Sequence, residues 1–145
     1  MYKLFYLYVD LVLDKKADRE TVFFSDKLIA TCFGNELWLD VGSFRVIRPE
    51  PLLIIKISIL NNRDREKTLK DVLDCLFVSN FSDIDFQLLR ELLVKSKPSP
   101  NSIRIAESVL ASNEMENELG SLRLDKNEIT TMKASLLSLL SLMKS

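Results

Sequence analysis

The chain has 145 residues, of which 47% are hydrophobic and 28% are charged. This composition is typical of a globular protein and excludes a disordered one, because disordered chains have too few apolar side chains to form a core. Twenty basic and twenty-one acidic residues give a formal charge of −1, and the two signs balance in each half of the chain. Neither half therefore has the basic excess with which proteins usually neutralise nucleic-acid phosphates.

The first part of the chain is rich in short β-type runs. Gly34 and Gly42 supply the positive φ that tight turns need, and Pro49 and Pro51 end the pattern because proline has no backbone donor. The sequence thus predicts a small antiparallel β-rich N-terminal unit, residues 1–62. Its strands are predicted at residues 2–13, 21–24, 27–33, 36–41 and 44–48.

Two details of this unit can be tested. Alternation in residues 36–41 puts Leu37, Leu39 and Val41 on one face and Trp38 on the other, where we expect the indole to be half exposed. The isoleucine-rich run 52–60 favours a buried strand, while its length also allows a helix that links two units.

Beyond Asn62 the apolar spacing changes to three and four residues, which is typical of helices. Residues 65–79 form an amphipathic pattern, and Ser82 is a predicted N-cap for a second helix that runs to about residue 97. Ser99 and Pro100 begin a third helix that is expected to end before Gly120. A final helix begins at Asp125 and runs nearly to the last residue. The overall prediction is an α+β chain with a four-helix C-terminal unit, residues 63–145.

The cysteines, Cys32 and Cys75, lack the paired spacing of zinc or redox sites, so we expect free buried thiols. Free thiols favour a reducing compartment. Residues 1–13 are apolar but too short to span a bilayer, and they lack a basic start and a cleavage site. The expectation is a cytoplasmic protein without a membrane segment.

Catalysis has little support in the residue types. The chain contains no histidine, which removes the common serine, cysteine and zinc mechanisms. Acidic pairs could bind a hard cation or share a proton, but helix starts, helix ends and strand edges account for them more simply. We therefore predict no catalytic, metal-binding or cofactor-binding residue and no enzyme activity. The acidic pairs are Asp83 with Asp85, Glu114 with Glu116, and Asp10 with Asp14.

The last helix has more leucine than a single core-facing stripe needs. Part of this apolar surface is predicted to contact another chain, with Trp38 as a further anchor, since tryptophan is favoured at interfaces. A central helix enclosed by its own domain is the alternative. On the interface hypothesis, Leu140→Glu should dissolve an oligomer. The predicted interface residues are Trp38, Leu136, Leu137, Leu139, Leu140 and Met143.

Two stretches resemble the GINS family, whose small subunits form a scaffold beside the replicative helicase. Residues 36–39, Glu-Leu-Trp-Leu, are similar to a family motif, and residues 122–144 are similar to its closing leucine-rich segment, which Asn127, Glu128 and Ile129 lead. The resemblance implies an archaeal type of subunit with the β domain first. It also implies a DNA replication scaffold without chemistry of its own, bound to sister subunits in a homo- or hetero-oligomer, that bridges the MCM helicase and a Cdc45 or RecJ-like partner.

Two other classes stay open. A small subunit of a nucleoprotein complex, such as a CRISPR effector or a viral structural protein, would need a folded basic strip around Arg45, Arg48 and Lys56. A metal-dependent enzyme would need Asp83 and Asp85 as ligands.

Overall fold

The computed structural model describes residues 37–145, and this part is broadly α+β, mostly helical with one small antiparallel sheet. The strands predicted before Glu36, Cys32, and the pair Asp10 and Asp14 lie outside the described residues. The strands are β1 (Trp38–Val41) and β2 (Phe44–Ile47). The helices are α1 (Pro49–Ser58), α2 (Arg65–Phe81), α3 (Phe86–Lys95), α4 (Pro100–Leu110), α5 (Asn113–Ser121) and α6 (Lys126–Lys144).

The hairpin of β1 and β2 confirms the two strands and the turn predicted around Gly42, whose φ is +61°. Trp38 pairs with Ile47, and both pack against the helical core. Leu39 pairs with Val46 on the opposite face, where both are 45% exposed. Trp38 is half-buried, as predicted; it contacts the core together with buried Leu37, whereas Leu39 and Val41 of the predicted leucine face are exposed.

The run 52–60 is helical, so of the two readings left open the strand is wrong. Pro49 and Pro51 lie in the first turn of α1, where a missing backbone N–H leaves no hydrogen bond unmade. A 3₁₀ turn, Ile59–Asn62, continues the helix. Because α1 packs against α2, α3 and α4, residues 49–62 belong with the helical part. A division of the whole chain into two domains stays a prediction.

Five helices, not four, follow Asn62 in the described part. The second begins later than expected, because Asp85 and not Ser82 is its N-cap. The predicted third helix is interrupted at Ala111, since Ser112 accepts a hydrogen bond from the Met115 N–H and begins a new helix, α5. Gly120 lies inside α5. The capping box of Asp125 and Glu128 confirms the start of α6.

Among the helices of residues 37–145, none is both long and apolar enough to cross a bilayer.

The core is formed mainly by α1, α2, α4 and α6, and α6 makes its most extensive contact with α2. Leu136, Leu140 and Met143 are fully buried and Leu139 is 4% exposed, all within the core of one chain. Leu136, Leu140 and Met143 cannot reach another molecule without opening the fold, whereas Leu139 keeps a small exposed edge, and a contact of α6 with another chain stays a prediction. Leu137, at 44% exposure, remains on the surface.

This placement changes the expected effect of substitutions in α6. Leu140→Ala should lower the free energy of unfolding by about 3 kcal/mol, since it leaves a cavity in a closed core. The exposed neighbour gives a matched control, because Leu137→Ala should cost less than about 1 kcal/mol. Urea unfolding followed by circular dichroism measures both values, and equal losses would contradict the packing of α6. Leu140→Glu should unfold the chain rather than separate subunits.

Candidate functional site

A groove of about 620 Å³ lies between the end of α2, the link 82–85, the start of α3 and the outer side of α6. Its apolar walls come from Ile84 and Phe86 on one side and from Leu139 and Leu142 on the other. Such a volume lies within the range of protein binding sites. The polar side chains that line the groove are Ser79, Ser82, Asp83, Arg90, Ser135 and Ser138.

Glu50 holds the link that forms one side of the groove. Its carboxylate is fully buried at the start of α1, where Oε1 accepts the backbone N–H of Asp85 at 2.7 Å. The Arg48 Nε donates to Glu50 Oε2 at 3.2 Å, and Arg48 Nη2 lies 3.8 Å from Asp85 Oδ2. Asp85 in turn caps α3, because its carboxylate accepts the N–H groups of Gln87 and Leu88 at 3.0 Å each. The loop and the first turn of α3 are therefore fixed to the hairpin and to α1.

Large apolar side chains extend from the groove over the surface of α3. Phe86 is 52% exposed and Val94 is 89% exposed, with exposed Arg90 between them. The four-residue spacing puts all three on one side of the helix. We call this set, Phe86, Arg90 and Val94, the α3 stripe. Exposed apolar residues that share one helix face with an arginine are a candidate binding surface, since apolar side chains and arginine occur together at protein interfaces.

A second aromatic side chain lies where α2 ends. Phe81 is 73% exposed and stacks on Phe77, with ring centroids 5.9 Å apart. Phe77 packs partly against the core and so fixes one side of the Phe81 ring. The exposed ring is thus held in place rather than free to fold back.

The α3 stripe was not predicted from the sequence, although a signal for it exists. Leu89, Leu92 and Leu93 form the buried face of α3. Val94 follows Leu93 and lies off that face, whereas Phe86 precedes Leu89 by three residues, which is ordinary core spacing, and is exposed in the first turn of the helix. Large apolar residues outside the main stripe of an amphipathic helix are the pattern that indicates such a surface.

Three residues of the predicted acidic pairs have structural partners. Asp85 is the N-cap of α3, while Asp83 is exposed at the groove. Glu114 pairs with Arg65, and Glu116 pairs with Lys133. No group of three potential metal ligands comes together among residues 37–145.

Two of the three cations in the basic strip proposed for a nucleoprotein subunit, Arg48 and Lys56, are paired with acidic groups, while the side chain of Arg45 lies outside the described structure. Arg48 contacts Glu50 and Asp85, as described above. Lys56 Nζ donates to Asp71 Oδ1 at 2.9 Å and to Asp74 Oδ2 at 2.7 Å. Burial acts to lower the pKa of Lys56, but the hydrogen bonds to Asp74 and Asp71 outweigh it and raise the pKa above its usual value. Its charge is therefore permanent but already paired.

Cys75 confirms the prediction of a free buried thiol. Burial raises the pKa of this thiol well above its usual value, because the thiolate would lose its hydration. A protonated, enclosed thiol is a poor nucleophile and a poor metal ligand. Cys75 is thus part of the core and not of the groove.

The buried carboxylate that shapes the groove can be tested by substitution. Glu50→Ala should lower the free energy of unfolding by about 3 kcal/mol, since it leaves the Asp85 N–H and the Arg48 guanidinium without their acceptor. Glu50→Gln should cost less, because the amide oxygen can still accept the N–H. Urea unfolding gives the values, with exposed Glu118→Ala as the control. A loss for Glu50→Ala no larger than that of the control would contradict the role of this contact.

No protein-family model, no curated protein and no solved structure matches this chain.

Proposed function

We propose that this protein is a non-enzymatic scaffold subunit of a multi-protein assembly, and that it binds other proteins through the groove and the α3 stripe. The observation that carries the proposal is the exposure of Phe86 and Val94 beside the groove. A folded helix that leaves such side chains in water gains free energy when another surface covers them.

The chemistry of this surface fits a protein partner. Aromatic residues and arginine are enriched at the centres of protein interfaces, and the stripe presents Phe86 and Arg90 one turn apart. The stem of an arginine packs on apolar surface while its guanidinium pairs with an acidic group. Val94 continues the apolar contact by one more turn.

The resemblance to the GINS family indicates which assembly we propose. On this proposal the chain is a DNA replication factor that bridges the MCM helicase and a Cdc45 or RecJ-like protein, with a β-rich unit ahead of the helical one. Leu37 and Trp38 of the similar motif pack against the helical core. Asn127, Glu128 and Ile129 of the second similar segment lie in the first turns of α6.

Affinity purification of the tagged full chain from native extract, followed by mass spectrometry, tests the proposal. Recovery of MCM subunits and a Cdc45 or RecJ-like protein is the expected result. Val94→Glu should reduce that recovery at least tenfold, because it places a charge at the centre of an apolar contact. Asn117→Glu is the matched control, since it adds the same charge at an exposed position of α5.

Other results would change the assignment. Recovery of ribonucleoprotein components in place of helicase components would replace the replication role by the nucleoprotein alternative. Equal recovery by Val94→Glu and Asn117→Glu would show that the assembly does not use the α3 stripe.

A further inference from the structure

One buried carboxylate connects the hairpin to the start of α3. Glu50 Oε2 accepts from Arg48 Nε, and the Arg48 N–H closes the hairpin by donating to the Leu37 carbonyl at 3.0 Å. Glu50 Oε1 accepts the N–H of Asp85, the N-cap of α3. Arg48 Nη2 lies 3.8 Å from Asp85 Oδ2, so the two outer members also contact each other directly. We call Arg48, Glu50 and Asp85 the Glu50 junction.

The bonds of the Glu50 junction depend on one another. The Glu50 side chain is fully buried, so a donor that leaves it opens part of the carboxylate to water. Hydrogen bonds are stronger in a dry site than in a wet one, and the members of a network strengthen each other. Loss of the Arg48 guanidinium should therefore weaken the bond between Glu50 and the Asp85 N–H, and loss of that N–H should weaken the bond to Arg48.

The junction acts at the point where α3 begins. This helix has ten residues, and a helix of that length is marginal in water without tertiary contacts. Its first turn depends on Asp85, whose carboxylate accepts the N–H groups of Gln87 and Leu88. Its most extensive contact is with α1, the helix that carries Glu50. The order of α3 is thus tied to the side chain that also holds the hairpin.

We propose that the Glu50 junction is a conformational coupling device. Docking of the hairpin holds α3 and the α3 stripe in the position that binds a partner, and release of the hairpin loosens both. The inference rests on the proposed function, because it concerns the regulation of the surface assigned there. By thermodynamic linkage, a protein bound to the α3 stripe also favours the docked hairpin.

Hydrogen exchange of the backbone amides, followed by NMR on the purified full chain, tests the coupling from the far end of the hairpin. Gly42 has a φ of +61°, so Gly42→Ala strains the turn, while the added Cβ meets no atom within 4 Å among residues 37–145 apart from its chain neighbours. The variant should speed exchange at the Asp85 and Leu89 amides about threefold, because opening of the strained hairpin extends to α3. Gly120→Ala is the matched control, since it adds the same methyl group inside α5, and it should not speed exchange at either amide.

Two further variants change the junction itself. Arg48→Met keeps an apolar stem and removes the guanidinium, and it should speed exchange at the Asp85 amide about tenfold. This variant decides the question even where Gly42→Ala leaves the hairpin closed. Asp85→Ala removes the N-cap of α3 and should speed exchange at the Arg48 amide, at the end of the hairpin, about threefold.

Three results would overturn the inference. In the native chain the Asp85 and Leu89 amides should exchange faster than the amide of Leu140, which is fully buried in α6, because α3 opens without global unfolding. Equal rates at these amides would show that α3 has no opening of its own. Faster exchange at Arg48 in Gly42→Ala, with Asp85 and Leu89 unchanged, would show that the hairpin opens without α3. Unchanged exchange at Asp85 in Arg48→Met would show that the junction does not hold α3.

The coupling and the proposed function can fail separately, because hydrogen exchange needs no partner. Coupled exchange in a chain that captures no helicase protein would retain the junction and refute the replication role. Capture of helicase proteins through Val94, with Asp85 exchange unaffected by Arg48→Met, would retain the scaffold and refute the coupling. Where both hold, Gly42→Ala should recover less helicase protein than Gly120→Ala.

Discussion

The Glu50 carboxylate is the contact on which the groove depends. It is fully enclosed, and an enclosed carboxylate is tolerated only when hydrogen bonds replace its lost hydration. The Asp85 N–H and the Arg48 guanidinium supply them, from a loop and from the end of the hairpin. One acidic side chain therefore joins the start of α1 and the adjacent end of the hairpin to a loop 35 residues away. The position of α3, and with it the α3 stripe, follows from this junction.

Charges in this protein fall into two groups. Lys56 and Arg63 both pair with Asp71 at the contact between α1 and α2, where Asp71 is 6% exposed. Buried charge of this kind is retained only when it is paired, so it serves the fold. Asp83 and Arg90 have no such partner in the described part of the chain, and both lie at the groove. Solvent screens both charges, so their interaction with a charge on another molecule becomes strong only where the contact excludes water.

Apolar surface is divided in a similar way. Most of the α6 leucines that the composition suggested for an interface are enclosed, because they share the face of α6 that packs against α2 and α4. Exposed apolar residues lie on the short helix α3, at Phe81 and Leu122, at Leu137 of α6, and on the outer face of the hairpin. The proposed scaffold role therefore relies on exposed residues at the periphery of the fold and not on the buried leucines of α6.

Local chemistry in the sequence determined where most elements lie. Spacing of apolar residues, the turn at Gly42 and the capping box at Asp125 and Glu128 act within a few residues, so the two described strands and the course of α2 and α6 could be predicted. Local patterns did not predict which of two neighbouring residues would be the N-cap of α3. Asp85 replaced Ser82 as an N-cap because Glu50, 35 residues away, binds the Asp85 N–H.

Burial, in contrast, was decided by tertiary structure alone. A run such as 52–60 is equally apolar as strand or helix, and only its contacts with α2, α3 and α4 fixed the helix. The same holds for Leu140 and Val94, which are both aliphatic residues on helices but are 0% and 89% exposed. Sequence specifies that a side chain is apolar, whereas the neighbours that cover it come from distant segments, and these decide whether it stabilises the core or remains available for a partner.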